Sequence, residues 1–278
     1  MQYDGSSVMA VFETIARSGE ISRAEISRLT GFSQVTVGRA VELFDACGII
    51  TQYKAERASA GRKTGICRLE RSFAMLIYDF EAGFLRVADL SLNVLAQIPL
   101  PAPENMLADG FGCFAQTVGG ELMGIACIVP ARTEETAAML TACFGQPPEL
   151  ITEAPRAAAI ANAARFDVPG AALFLRAGEK IDGALMLDGR LHTGAGGMAG
   201  DFSKWIPDAA LLPEKLAEIA ALLDPALVHI IGENLPPIAL PEQTMLVIEP
   251  PAACRDAADG AAMLLREKWL RLKLAEVG

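Results

Sequence analysis

Two serines that precede apolar runs constrain the first fifty residues more tightly than any other feature of this sequence. Ser22 is followed three residues later by Glu25, which is the pattern of a capping box at the start of a helix. Gly31 then marks the end of a short helix, and Ser33 is placed to cap another, from Gln34 to about Ala46. The spacing therefore predicts two short helices joined by a tight turn that contains glycine.

The segments on either side extend this pattern. Apolar residues at helical spacing predict a preceding helix over residues 6–18. After Gly48, strands are predicted at residues 49–53 and 66–69, on either side of a basic turn at residues 58–65. Three helices followed by a two-stranded hairpin predict a winged helix-turn-helix domain over residues 1–70.

Such a domain is expected to bind double-stranded DNA. Recognition helices place polar side chains of their first turns against base edges, and basic hairpins contact phosphates or the minor groove. Residues 52–68 contain five basic residues and one acidic residue. The residues predicted to contact DNA are Ser33, Gln34, Thr36 and Arg39 in the helix, and Arg57, Arg62 and Lys63 in the hairpin. A solvated basic loop on a small helical domain, or a winged helix that binds protein, would give the same pattern.

Charge is divided unevenly along the chain. The 278 residues carry a net charge of −10, which by itself argues against a nucleic-acid partner. Residues 1–70 contain nine basic and eight acidic residues, whereas residues 71–278 contain 15 basic and 26 acidic residues. The division predicts two domains, 1–70 and 71–278, that have different partners.

Composition excludes several classes of protein. With 52% hydrophobic and 21% charged residues, the chain is not expected to be mostly disordered. It lacks an apolar run of about 18 residues and the pattern of a secretory signal, so a cytoplasmic protein that does not span a membrane is expected. Six cysteines without a C-x-x-C pair, and only two histidines, predict free thiols and neither a metal site nor a cofactor. His229 lies in an apolar stretch and is predicted to be a buried core histidine.

The second domain is predicted to be an α/β structure. Strands at residues 73–80, 84–90 and 94–100 predict a β-meander, in which Asp79 caps the first turn. A helix around 106–118, a buried strand at 123–130 and a last apolar helix at about 256–274 complete the prediction. The apolar stripe of the last helix is expected to be mostly core, with any surplus forming a dimer face.

Several segments resemble motifs of the ROK family, whose members are repressors and sugar kinases with an actin-like ATPase fold. The strongest similarity is to a glycine-rich strand, turn and loop, at residues 183–201. The others are the wing segment at 60–63, the first core strand at 76–80, a strand at 222–232 and the start of the last helix at 255–262. The resemblance implies an α/β, actin-like core behind an N-terminal winged helix-turn-helix domain.

The core departs from the family pattern where kinase chemistry would occur. Phosphate loops need glycines so that backbone N–H groups can approach ATP, but residues 80–83 and 176–182 carry acids in place of the family's glycines. The family's catalytic aspartate corresponds to Pro155, which cannot accept a proton, and its zinc-binding histidine corresponds to Lys204. The resemblance therefore implies a degenerate core that is not an enzyme, with a divergent sugar kinase as the alternative.

These observations together predict a DNA-binding transcriptional regulator, in the first instance a repressor, that binds an operator in double-stranded DNA. Glu153, Glu179, Asp182 and Asp201 are candidates to rim a cleft in which the core senses a small, sugar-related effector. Solvated acids would explain the same four residues equally well. A homodimer is expected because two half-sites multiply a weak monomer affinity, and an effector would shift the spacing of the two winged helices.

Overall fold

In a computed structural model, which describes residues 5–54, 65–166, 168–178, 180–195 and 199–277, the chain begins with three helices and a small sheet. We call residues 5–54 and 65–69 the N-terminal unit. Its elements are α1 (Gly5–Ser18), β1 (Glu20–Ser22), α2 (Arg23–Thr30), α3 (Gln34–Ala46), β2 (Ile50–Lys54) and β3 (Gly65–Leu69). The strands are antiparallel, in the order β1-β3-β2.

The helix starts predicted from the two serines are confirmed. Ser22 Oγ accepts a hydrogen bond from the backbone N–H of Glu25 at 3.2 Å, and Ser33 Oγ accepts one from the N–H of Thr36 at 3.1 Å. Gly31 ends α2 with a φ of 73°, in the left-handed region that favours glycine. Strand β1 was not predicted from the sequence, because a strand of three residues is too short to show a periodicity and forms only by pairing with β3.

Two five-stranded sheets follow, and both have the same plan. In the first sheet, β4 (Phe73–Asp79), β5 (Phe84–Asp89) and β6 (Val94–Pro99) form an antiparallel meander, and β7 (Glu121–Val129) and β8 (Leu150–Glu153) continue it in parallel from β4. In the second sheet, β9 (Ala171–Ala177), β10 (Ile181–Leu187) and β11 (Arg190–His192) are antiparallel, and β12 (Leu227–Gly232) and β13 (Met245–Glu249) continue in parallel from β9. The predicted meander and the α/β class of the core are confirmed.

Two helices join the sheets. The helices of the core are α4 (Met106–Thr117), α5 (Glu134–Phe144), α6 (Ala154–Ala163), α7 (Leu212–Leu223) and α8 (Ala257–Ala275). Helix α8 packs on β4 and β7 of the first sheet, α6 packs on β9 and β10 of the second, and the two helices contact each other. As predicted, most of the α8 stripe is core: Ala261, Leu265 and Trp269 are buried, whereas Leu272 is exposed. None of the helices in the described part of the chain is long and apolar enough to span a membrane.

Gly260 allows α8 to approach α6 closely. A Cβ atom added at this position would lie 1.7 Å from the carbonyl oxygen of Ala157, so an alanine forces the helices apart. We expect Gly260→Ala to lower the free energy of unfolding by about 1–3 kcal/mol, the usual cost of overpacking a core. Urea titration measures the change, and Gly112→Ala in α4, where a Cβ meets no atom within 4 Å, is the matched control. Equal urea midpoints for the two variants would contradict the expected clash.

Candidate functional site

The start of α3 presents polar side chains at the surface of the N-terminal unit. Ser33, Gln34 and Arg39 are exposed, and Thr36 is half-buried. The Ser33 hydroxyl caps the helix and lies 2.9 Å from the Thr36 hydroxyl, so these two groups are engaged with each other. Among the described residues, Gln34 and Arg39 have neither a hydrogen bond nor an ion pair for their side chains. They are the predicted residues of α3 that are most available to a partner.

Val35 extends this surface with an apolar side chain, and it is not among the DNA-contacting residues predicted from the sequence. It lies between Gln34 and Thr36 in the first turn of α3, and it is 63% exposed. An apolar side chain in the first turn of a helix that enters the major groove can contact the methyl group of thymine. The exposure of Val35 could have been predicted from the sequence, because this apolar residue lies outside the buried helix face that Val37 and Val41 define.

The strands of the hairpin are held against α2 and α3 by Arg23. Its guanidinium donates a hydrogen bond to Gln52 Oε1 in β2 at 2.8 Å and lies 3.6 Å from the carboxylate of Glu42 in α3. The orientation of β2 relative to α3 is therefore determined by the fold of the N-terminal unit. The predicted wing residues Arg57, Arg62 and Lys63 lie outside the described residues, so their contact with DNA stays a prediction.

A cavity in the core brings together three of the predicted effector residues. Glu153, Asp182 and Asp201 line a space of about 310 Å³, and Glu179 lies outside the described residues. Other residues on the wall of this cavity are Glu81, Arg156, Lys180 and Ser203. Its volume lies at the lower end of the range found for small-molecule pockets. We call this space the central cleft.

One arginine joins two of the acids that line the central cleft. Arg176, on β9, donates two hydrogen bonds to the carboxylate of Asp182 on β10, at 2.7 and 2.6 Å. It donates a third, at 3.0 Å, to Glu81 in the turn after β4. Since β9 and β4 belong to different sheets, Arg176 ties the two halves of the core together.

The remaining acids of the central cleft also have partners. Glu153 lies 3.2 Å from the guanidinium of Arg156, and Asp201 accepts hydrogen bonds from the backbone N–H and the hydroxyl of Ser203. The cleft has four acids on its wall, and the basic groups and donors that lie beside them partly offset their negative charge. It offers donors and acceptors side by side, which is what an uncharged, hydroxyl-rich ligand needs.

Pro155 is on the wall of the central cleft, whereas Asp79 is at the end of β4 and lines a neighbouring cavity. Pro155 lines the cleft from the first turn of α6 and supplies no group that can accept a proton. Asp79 caps the meander turn as predicted, because its Oδ1 accepts the backbone N–H groups of Glu81 and Ala82 at 3.0 and 2.8 Å. Burial raises the pKa of Asp79, and these two hydrogen bonds partly oppose that rise. Asp79 therefore has a structural role in the turn.

The start of α8 lies beside a second cavity that adjoins the central cleft. This cavity has a volume of about 290 Å³ and is lined by Asp79, Glu81, Arg176 and Asp256, among others. Asp256 caps α8 and forms an ion pair of 2.5 Å with Arg86 of β5, which is itself buried. The position of α8 is thus linked to the first sheet and to the residues around the cleft.

The second half of α8 holds the N-terminal unit. Arg266 is 4% exposed, forms an ion pair with Glu13 of α1, and donates a hydrogen bond of 3.3 Å to the carbonyl of Leu90. Its guanidinium also lies 5.2 Å from the ring centroid of Phe12. Burial lowers the pKa of Arg266, and the charge of Glu13 opposes that shift. One helix therefore contacts both the cavity beside the cleft and the helix that begins the N-terminal unit.

Comparisons with known proteins identify the fold. No protein-family model matches the chain, and no curated protein matches its sequence. The crystal structure of a ROK family transcriptional regulator, a homologue of the E. coli MLC protein, matches 97% of this chain and 99% of its own, with a TM-score of 0.62 and 14% identity. The Listeria monocytogenes protein Lmo2764, a proposed N-acetylmannosamine kinase, matches 70% of this chain and 99% of its own, with a TM-score of 0.50 and 14% identity. The chain therefore has the fold of ROK proteins.

Proposed function

We propose that this chain, whose fold is that of ROK proteins, belongs to their family and is a DNA-binding transcriptional regulator. The observation that carries the proposal is the free, exposed pair Gln34 and Arg39 at the start of α3, beside an antiparallel hairpin. Amide and guanidinium side chains in the first turns of a recognition helix can each form paired hydrogen bonds with base edges in the major groove. The partner is an operator in double-stranded DNA.

The extent of the structural match supports a regulator over a kinase. The regulator's structure leaves only 3% of this chain unmatched, so its match includes most of the N-terminal unit. The Listeria protein matches only 70% of this chain, although 99% of the Listeria protein is included in the match. A kinase needs no part that corresponds to α1–α3 and the hairpin, whereas a regulator does.

The core, in this proposal, senses an effector and catalyses no reaction. By the resemblance to the family, Pro155 stands where its kinases have an aspartate base, and Glu81 lies in the segment that corresponds to their first phosphate loop. The central cleft offers paired donors and acceptors, which favours a neutral, sugar-related effector over a nucleotide. Glu153, Asp182 and Asp201 are the residues with which we expect it to hydrogen-bond.

Helix α8 provides the physical route from effector to DNA. Asp256 at its start lines the cavity that adjoins the cleft, and Arg266 in its second half holds Glu13 of α1. An effector that changes the distance between the two sheets would break or strengthen the Arg176 bridge and move α8 with it. In a homodimer, this movement would change the spacing of the two α3 helices and weaken repression.

Capture of genomic DNA fragments by the full-length chain tests the proposal directly. We expect a small set of fragments that share a sequence with two half-sites, and an affinity that falls as salt is raised. Capture without any shared sequence, or no capture at all, would contradict operator binding and favour the protein-binding alternative. Phosphorylation of a hexose by ATP in a coupled assay would contradict the assignment of the core as non-catalytic.

A further inference from the structure

A cluster of three metal-ligating side chains lies at the edge of the second sheet, apart from the residues used above to explain DNA and effector binding. His229 Nε2 is 2.8 Å from Glu249 Oε2, Cys254 Sγ is 3.7 Å from the same oxygen, and Cys254 Sγ is 4.0 Å from His229 Nε2. Among the described residues, this is the group of histidine, cysteine and acidic side chains close enough to share one metal ion. We propose that His229, Glu249 and Cys254 form a zinc site.

The distances fit a tetrahedral ion. Metal–ligand bonds of about 2.0–2.3 Å at tetrahedral angles place ligand atoms about 3.4–3.6 Å apart. The two distances that involve Cys254 are within about half an ångström of these values. Only the hydrogen bond between His229 and Glu249 must open, by a similar amount, for an ion to replace the shared proton. One nitrogen, one oxygen and one sulfur ligand are the set that zinc accepts in proteins, with the fourth position left for water or an added ligand.

His229 is held by packing and Glu249 by hydrogen bonds, while Nδ1 of His229 has no hydrogen-bond partner among the described residues. His229 is fully buried, and its ring lies 5.4 and 5.5 Å from the rings of Phe166 and Phe174. Arg165 donates hydrogen bonds of 2.7 Å to both oxygens of Glu249 and so sets the direction of that carboxylate. A hydrogen-bond partner of this kind orients a carboxylate that coordinates a metal ion.

Cys254 is positioned through the backbone that follows it. Asn162 is fully buried, donates to the carbonyl of Arg255 at 3.0 Å and accepts from the N–H of the same residue at 3.1 Å. This pair of hydrogen bonds fixes the segment that carries Cys254. Cys254 also lines the 290 Å³ cavity described above, so a metal ion can reach its thiol from that cavity.

No metal site is predicted from the sequence, and the positions of the three side chains along the chain explain why. The three ligands are separated by 20 and 5 positions and follow none of the spacings of known zinc motifs. His229 and Glu249 meet because β12 and β13 are parallel neighbours in the second sheet. Cys254 reaches them only after the chain turns between β13 and α8.

Titration of the full-length, untagged and reduced chain with Co²⁺ tests the site without reference to DNA. We expect one Co²⁺ per chain, with the visible bands of a tetrahedral ion and a thiolate charge-transfer band, and displacement of both signals by Zn²⁺. Cys254→Ser is expected to abolish the thiolate band and to weaken Zn²⁺ binding at least ~10-fold, as loss of a ligand should exceed the effect of losing an outer partner. Cys143→Ser, at another half-buried cysteine, is the matched control and should keep both signals.

Two results would overturn the site. The first is an unaltered chain that binds no Co²⁺ or Zn²⁺. The second is a thiolate band that Cys254→Ser retains, which would place the metal at another cysteine. His229→Gln is a further variant, and because His229 is buried its thermal unfolding must first be shown to match that of the metal-free parent. This variant should then also lose the visible bands of the tetrahedral Co²⁺ ion.

Discussion

Arg39→Ala is expected to reduce the affinity of the chain for its operator by about 10- to 100-fold, because a specific guanidinium contact to a base is worth about 1–3 kcal/mol. Arg39 is exposed and makes no ion pair within the described part of the protein, so its removal should leave the fold intact. Fluorescence anisotropy with a captured fragment, at one stated salt concentration, measures the change. Arg132→Ala, at another exposed arginine in the loop after β7, is the matched control and should bind like the parent.

The salt dependence of Arg39→Ala separates two kinds of contact. If Arg39 contacts a base, the variant should lose discrimination at one position of the operator and keep the parent's salt slope. If it contacts a phosphate, all sequences should weaken alike, and the slope should fall by about one. An Arg39→Ala variant that binds the operator as tightly as Arg132→Ala would remove α3 from the proposed interface.

Glu13→Ala is expected to be the most destabilising single change among those considered. It leaves the guanidinium of Arg266 buried without its counter-charge, and breaking such a pair costs about 3 kcal/mol or more. Arg266→Met should cost less, because methionine fills much of the volume and Glu13, whose side chain is 31% exposed, can turn toward water. Urea titration of both variants measures the difference, with Glu242→Ala at an exposed acid as the control.

A double variant tests whether the buried, unpaired charge causes the loss of stability. Glu13→Ala combined with Arg266→Met removes both charges, so its stability should exceed that of Glu13→Ala alone. If Glu13→Ala is as stable as Glu242→Ala, the link between α8 and α1 does not depend on this ion pair. The proposed route from effector to DNA would then need another contact, such as the one between the Cys47 thiol and the carbonyl of Lys273, at 3.6 Å.

Local features of the N-terminal unit could be read directly from the residues. The serine caps and Gly31 act within one turn of chain, so their effect does not depend on what packs against them. The start of α3 at Gln34 was therefore predicted correctly, and its end at Ala46 agrees with the approximate prediction. The availability of Gln34 and Arg39 was not readable in this way, since it depends on which neighbours the folded chain offers to each side chain.

The central cleft was only partly predictable. The resemblance to a known family indicated that Glu153, Asp182 and Asp201 could lie together, and the structure places them in one cavity. It did not indicate that Arg176 would reach across from β9 to Glu81, because that contact joins residues 95 positions apart. The charge of the cleft, and hence the class of ligand it suits, follows from this pairing.

The sequence by itself determined where the helices of the N-terminal unit begin and end, and it placed α/β elements in order along the core. Caps, turns and periodicity are short-range effects, which a linear pattern records. The tertiary structure alone decided which charges are paired: Arg266 with Glu13, Arg176 with Glu81, and Glu249 with His229. These pairs join residues that are distant in the chain, and their positions depend on the packing of whole sheets and helices, which no local pattern encodes.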